Sequence, residues 1–306
     1  VSVEVCVCIP ARNEADRIAT LIDALAMQTV DRPFGVVLCV NNSSDDTGGV
    51  AQHAAARCEG RFTLTQIECF FEPPLAHAGS ARRAAMELGA EMLGNTGLLI
   101  STDADCRPPA DWIAANLAAG GSDRIIGGRI ELDEADADEY PAIFAFRRHF
   151  DAYWQRVRAI EDSIDPSPWD PAPRHGDHTG ASLALSVELY QRSGGVPLQP
   201  SGEDRALVEA AIVAGGKLVH PQTVWTRTSA RTRGRATGGM AEDLQRWADA
   251  EARGELPNVP HFDHWEARAL WRRDFRQGRG TKALMEAERL LPAMPCDMAL
   301  PMVSGS

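Results

Sequence analysis

Between Val3 and Ile130 the chain alternates short apolar runs with stretches of helical spacing, and this alternation limits its fold more than any other feature. Val3 to Ile9 alternates and is rich in Val and Cys, the pattern of a strand. Ile18, Leu21, Ile22 and Leu25 then recur at helical spacing. Val36 to Val40 reads as a second strand, a helix runs on to about Arg57, and Phe62 to Cys69 is a third strand. Gly79 to Met92 is an Ala-rich helix and Gly97 to Ser101 a fourth strand. Pro108 and Pro109 open a helix through Leu117, and Arg124 to Ile130 is a further strand. Strands and helices in this order make βαβ units, so the sequence predicts an α/β fold with a mostly parallel sheet flanked by helices. No Gly-x-Gly-x-x-Gly follows the first strand, which removes the dinucleotide fingerprint.

The fourth strand ends in chemistry. Leu98, Leu99 and Ile100 stop at Ser101-Thr102-Asp103-Ala104-Asp105. Open α/β sheets collect ligands at the carboxyl ends of their strands. A hard cation such as Mg²⁺ or Mn²⁺ takes oxygen ligands and is held by one or two carboxylates plus substrate phosphates. Asp103-Ala104-Asp105 suits that use. An acidic turn that merely closes the strand is the other reading.

Charge and composition narrow the partners. The 306 residues carry a formal net charge of -12, which argues against nucleic acid and against docking on anionic lipid by charge. No apolar run approaches the length of a membrane span, and no secretory signal pattern opens the sequence. The seven cysteines are scattered and form no CxxC pair, so a reducing, cytoplasmic setting is expected, with Cys6 and Cys8 acting as small apolar groups.

Beyond Ile130 the pattern loosens. Tyr140 to Ile160 reads as a long helix, and Asp165 to Asp177 as a Pro- and Asp-rich loop of the kind that moves over a site. Ser182 to Ser186 is a strand followed by a short helix, Glu203 to Ala214 a helix, and Lys217 to His220 a short strand. From Gly239 the chain is polar and amphipathic. We therefore divide it into a catalytic domain, 1–238, and a C-terminal helical extension, 239–306. Leu244, Trp247, Trp265, Leu270, Trp271 and Phe275 recur among charges as one apolar face. That face must bury against the parent domain, a second subunit or a membrane. Glu242, Asp243, Asp249, Glu251 and Asp263 place the membrane last, and a homo-oligomer through these helices stays open.

Six short motifs then appear in one order. They are Ile9-Pro10-Ala11-Arg12-Asn13-Glu14, Asn42-Ser43-Ser44-Asp45-Asp46-Thr47, Gly79-Ser80-Ala81-Arg82-Arg83-Ala84, Asp103-Ala104-Asp105, Gly180-Ala181-Ser182 with Gly194-Gly195-Val196, and Gly202-Glu203-Asp204. Together they resemble the family 2 glycosyltransferases over roughly Val3 to Arg235. The resemblance implies the GT-A fold, a Rossmann-like sheet, and transfer from a nucleoside-diphosphate sugar to a hydroxyl acceptor. It implies nucleotide loops at Pro10, Ala11, Arg12 and Glu14 and at Asn42 and Asp45. It also implies a metal at Asp105, helped by Asp103 beside Ala104, acceptor contacts near Gly180 and Ala181, and catalysis at Glu203-Asp204. Asp204 is the expected base of an inverting reaction, with Glu203 positioning, and UDP is favoured over GDP.

The residues offer the same roles on physical grounds, each beside a plainer one. Asp45 or Asp46 can accept from a base N–H, or cap a helix. Gly79 with Arg82 and Arg83 marks a helix N-terminus suited to an anion, or an exposed Arg pair, and we select Arg83. Asp204 can take the proton of an attacking hydroxyl, or complement a helix dipole. Arg227, Arg231, Arg233 and Arg235 read as a flexible clamp on a diphosphate, or as a basic loop. Relatives often place a metal-completing histidine near Thr226; here the residues are Val224-Trp225-Thr226-Arg227, and His220 lies a strand earlier. His175 and His178 can bind metal or, as we prefer for His178, the acceptor. A retaining transferase, a sugar-nucleotide nucleotidyltransferase and a catalytically dead binding module are the rivals. The first loop has no glycine, which disfavours the nucleotidyltransferase, and the intact Asp103, Asp105 and Asp204 disfavour the dead module.

Overall fold

The computed structural model describes residues 4–58, 60–232, 234 and 240–303. The chain gathers into two compact units. One holds the chain up to Asp133 with Asp177–Ser229, and the other holds Glu134–Gly176 and the chain from Met240, with a short stretch beginning at Ala230.

In chain order the first unit contains β1 (Val5–Ala11), α1 (Ile18–Ala26), β2 (Phe34–Asn41), α2 (Thr47–Ala56), β3 (Phe62–Cys69), α3 (Ala78–Leu93), β4 (Leu98–Ser101), β5 (Cys106–Arg107), α4 (Trp112–Ala119), β6 (Arg124–Gly127) and β7 (Arg129–Leu132). The long helix α5 (Pro141–Ile164) belongs to the second unit. The first unit resumes with β8 (Leu183–Ser186), α6 (Val187–Arg192), α7 (Glu203–Val213), β9 (Lys217–Val219) and β10 (Trp225–Thr228). Among the described residues, seven strands form the central sheet in the order β3-β2-β1-β4-β8-β6-β9. Pairing is parallel except around β8, which runs against both β4 and β6. The predicted α/β sheet is therefore present.

The burial of each strand follows its place. β1 and β2 are buried along their whole length, as inner strands covered on both faces must be. β3 is the edge and keeps polar, half-exposed residues such as Thr63, Thr65 and Glu68. One face of the sheet packs on Ile18, Leu21, Ile22 and Leu25 of α1, and the other on α3. A Cβ on Gly89 of α3 would lie 2.8 Å from Cys8 Sγ and 3.0 Å from Cys6 Sγ, so glycine above and small thiols below let the helix sit close on the sheet. All seven cysteines are free.

The chain runs outward from β1 through β2 to β3, then returns to add β4 on the other side of β1. This reversal opens a crevice at the carboxyl ends of β1 and β4, where α/β sheets bind ligands. Arg12 and Glu14 follow one strand and Asp103 and Asp105 the other.

Two boundaries differ from the sequence reading. The single strand expected over Arg124–Ile130 is two, β6 in the central sheet and β7 in a second sheet of order β5-β10-β7. The break falls at glycines, because a Cβ would lie 2.3 Å from Asp177 O at Gly127 and 2.1 Å from Ser182 Oγ at Gly128. Helix α4 begins at Trp112 rather than at the prolines, with Trp112 N–H bonded to Pro109 O in a turn. Strand β10 was missed; it places Arg227, read as part of a flexible clamp, in a strand with its guanidinium 4.4 Å above the Trp225 ring.

The second unit contains α5, α8 (Met240–Ala252), β11 (Asn258–Val259), α9 (Phe262–Arg276), α10 (Thr281–Arg289) and β12 (Met298–Ala299). Part of the apolar face expected in the tail packs here against α5. Trp247 stacks on Phe146 at 5.0 Å, and Trp265 meets Trp154 at 5.3 Å while its indole N–H donates to Tyr153 Oη at 2.7 Å. Arg174 ties the irregular segment after α5 to Asp162 at 2.8 Å. No helix of the described residues is long and apolar enough to cross a membrane.

Candidate active site

Arg82 is the hub of the crevice. It lies on the buried stripe of α3, in line with Gly79, Met86, Gly89 and Leu93, and is 4% exposed. Its Nη2 donates to Asp103 Oδ1 at 2.8 Å and its Nε to Glu203 Oε1 at 3.1 Å. Its Nη1 donates to Ser101 Oγ at 2.5 Å and to the Gly180 carbonyl at 3.1 Å. One guanidinium thus joins the end of β4, the approach to β8 and the head of α7. Burial works against its charge, but Asp103, Glu203 and Asp204 outweigh this and hold its pKa above the usual arginine value. The rigid fork of arginine is what allows so many directed bonds from one side chain.

Asp204 is fixed from two sides. Its Oδ2 accepts the Gly180 N–H at 2.8 Å and its Oδ1 the Arg205 N–H at 2.7 Å. Gly180 is therefore held through its carbonyl by Arg82 and through its N–H by Asp204. The following residues are stapled to β4 as well, with Thr102 Oγ1 donating to Ala181 O at 2.9 Å. A Cβ on Gly180 would lie 2.3 Å from the Arg82 guanidinium carbon. Gly180→Ala should cost about 1–3 kcal/mol by overpacking, and a thermal melt with no downward shift would contradict this.

The loops after β1 and β2 are knit together. Glu14 N–H donates to Thr47 Oγ1 at 2.8 Å, and Ser44 N–H to Asn13 Oδ1 at 2.7 Å. Asn13 and Asn42 adopt positive φ, which asparagine tolerates better than most residues. Asp45 accepts from Thr47 Oγ1, Ala15 N–H and Thr47 N–H. Burial raises its carboxyl, and these bonds outweigh that and hold it below the usual range. The structural use of Asp45 at the start of α2 is thus realised, while Asp46 occupies the N-cap position without a capping bond. Asn41 Nδ2 donates to His77 O, and Arg12 Nη1 lies 3.4 Å from Ala76 O, so both loops meet the start of α3. Gly79 permits α7 to approach: a Cβ there would lie 3.2 Å from Glu203 Cβ.

The sequence itself supplies the decision. The family model described as Glycosyl transferase family 2 matches residues 6–163, just over half of the chain. The chain belongs to the family 2 glycosyltransferases. The match covers the loops after β1 and β2, the start of α3 and Asp103-Ala104-Asp105. It ends before Gly180 and Glu203-Asp204, which the fold brings to the same place. No curated protein matches in sequence at a significant level. Among solved structures, the mannosyltransferase PcManGT of Pyrobaculum calidifontis, in complex with GDP-Man and Mn²⁺, is 19% identical over 96% of this chain and 77% of its own, with a TM-score of 0.54. Residues 1–349 of TarS from S. aureus, in complex with UDP-GlcNAc, are 14% identical over 89% and 72%, with a TM-score of 0.51. These likenesses are of the GT-A fold.

A divalent ion fits the donor set of this glycosyltransferase. Asp103 and Asp105 are half-buried on either side of buried Ala104. Both reach the buried Cys106 thiol electrostatically: burial first, then Asp105 and Asp103, push its pKa up. Among the described residues no group of three His, Cys, Asp or Glu could hold a metal. Two carboxylates suffice for Mg²⁺ or Mn²⁺ when phosphates and water complete the shell.

Arg83 bonds to Glu87 and to Val196 O and takes no part in the Arg82 cluster. His178 lies with Nδ1 3.5 Å from Nε2 of buried His220, while His175 belongs to the second unit. Arg231 also falls in the second unit, and Arg233 and Arg235 lie outside the described residues. Of the arginine pair read as an anion site, Arg83 was selected, whereas Arg82 is the one that joins the cluster; Ser101 was given no role. The signal for Arg82 was present in its place on the stripe of small and apolar residues, whereas Arg83 sits four residues before Glu87 on the solvent face.

Proposed function

We propose that this glycosyltransferase moves a sugar from a nucleoside-diphosphate sugar, with UDP preferred, to a hydroxyl acceptor with inversion at the anomeric carbon. The observation that supports it most is the junction at Arg82, which gathers Asp103, Glu203, Asp204 and Gly180 from segments far apart in sequence. Asp204 takes the proton of the acceptor hydroxyl as its oxygen attacks, and Glu203 positions the cluster. Pro10, Ala11, Arg12, Glu14, Asn42 and Asp45 line the nucleotide side. His178, Gly180 and Ala181 lie on the acceptor side. A Mg²⁺ or Mn²⁺ ion held at Asp105 would supply Lewis-acid stabilisation of the leaving diphosphate.

A donor that binds only the folded state raises the melting temperature, by about 2.7 kcal/mol of stability at a hundredfold excess over Kd. UDP should raise it more than GDP, CDP or TDP, and Mn²⁺ should enlarge the shift. Flat melting curves with all four nucleotides at millimolar concentration would remove the donor site. Proton NMR of the product's anomeric centre separates inversion from retention.

A further inference from the structure

Asp204 takes its orientation from two neighbours, and Arg82 holds both. Glu203 precedes Asp204 on α7, and its Oε1 accepts from Arg82 Nε at 3.1 Å. Gly180 donates its N–H to Asp204 Oδ2, while its carbonyl accepts from Arg82 Nη1 at 3.1 Å and from Ser101 Oγ at 3.0 Å. The segment beyond Gly180 is fixed in the same way. Ala181 O accepts from Thr102 Oγ1 and Ser182 O from the Gly128 N–H, each at 2.9 Å. The Gly180 N–H is therefore a donor set in place by three successive held carbonyls. The head of α7 starts on Gly202 at φ 71°, which brings no capping side chain, and the Arg205 N–H bond to Asp204 is made within the same turn. The contacts that tie this turn to the rest of the crevice run through Arg82.

We infer that Arg82 is a positioning residue for the transfer step: by holding Glu203 and Gly180 at once, it aims the Asp204 carboxylate at the acceptor hydroxyl. This rests on the assignment of Asp204 as base given above and extends it to the side chain that keeps the base in place. Positioning is sensitive to small shifts, since a displacement of about 1 Å can cost on the order of a hundredfold in rate. Lysine at this place keeps the charge but is a point donor without the planar fork that reaches Glu203, Ser101 and Gly180 together. An Arg82 that only stabilised the fold would change the melting temperature and leave the rate of the folded enzyme as it was.

A double-mutant cycle in rate separates the two. Water stands in for the acceptor, and the probe is the UDP-hexose that the wild type hydrolyses fastest from a panel. In single turnover the water oxygen bonds to the anomeric carbon, the bond to the diphosphate breaks, and Asp204 takes the proton. Arg82→Lys should slow this step about tenfold or more, with UDP binding by calorimetry within about twofold of wild type. In an Asp204→Asn background the same substitution should cost less than about twofold, because residues that act as one unit are not additive. Ser101→Ala removes the hydroxyl between Arg82 and Gly180 and should slow the step about threefold, again only where Asp204 is present. It carries the test if Arg82→Lys does not fold. Full turnover by folded Arg82→Lys, or an equal loss in both backgrounds, overturns the inference, as does full turnover by Ser101→Ala where Arg82→Lys is unfolded. An Asp204→Asn variant that keeps most of its turnover instead removes the base itself, so the two failures are told apart.

Discussion

Asp204→Asn should leave donor binding within about twofold of wild type and lower transfer by about 10²–10⁴, the usual range for loss of a positioned general base. The amide matches the carboxylate in shape but cannot take a proton at neutral pH. Asp204 is already oriented by the Gly180 and Arg205 N–H groups, so its loss removes a positioned acceptor rather than a free side chain. Calorimetric titration with UDP and a single-turnover transfer assay read the two effects separately. A variant that kept most of its turnover would remove the base from the mechanism and favour retention, in which Asp204 only orients the acceptor.

Glu203→Ala should destabilise the first unit by about 3–5 kcal/mol, because it leaves a buried guanidinium with part of its compensation gone. Glu203 and Arg82 have side chains 8% and 5% exposed, so water cannot replace the lost partner well. For a unit of this size the melting temperature should fall by roughly 6–20 °C. Glu203→Gln keeps an acceptor for Arg82 Nε and should fall by less. Equal melting curves for wild type and Glu203→Ala would mean that the Arg82 junction does not carry the site's stability.

Much of the fold was legible because its signals are local. Strand runs such as Phe62–Cys69 match the observed element end to end, and Ile18, Leu21, Ile22 and Leu25 are all fully buried as their spacing predicts. Such patterns depend only on which face of an element meets the core. The antiparallel direction of β8 was not legible, because a four-residue apolar run reads the same in either direction. The split of Arg124–Ile130 was hidden for a related reason: it arises from contacts of Gly127 and Gly128 with residues some fifty positions later.

The sequence by itself determined the family, the alternating sheet and the order of the acidic motifs, since each is written in short stretches of chain. Tertiary structure decided how those motifs meet. It separated Arg82 from Arg83, neighbours in sequence, by burying one in the crevice and turning the other toward Glu87 on the solvent face. It gave Asp45 to Thr47 and Ala15, and Asp103 to Arg82. A side chain's partners in a buried cluster depend on which distant segments close around it. That closure is set by the packing of α3, β4 and α7 together, and no window of sequence contains it.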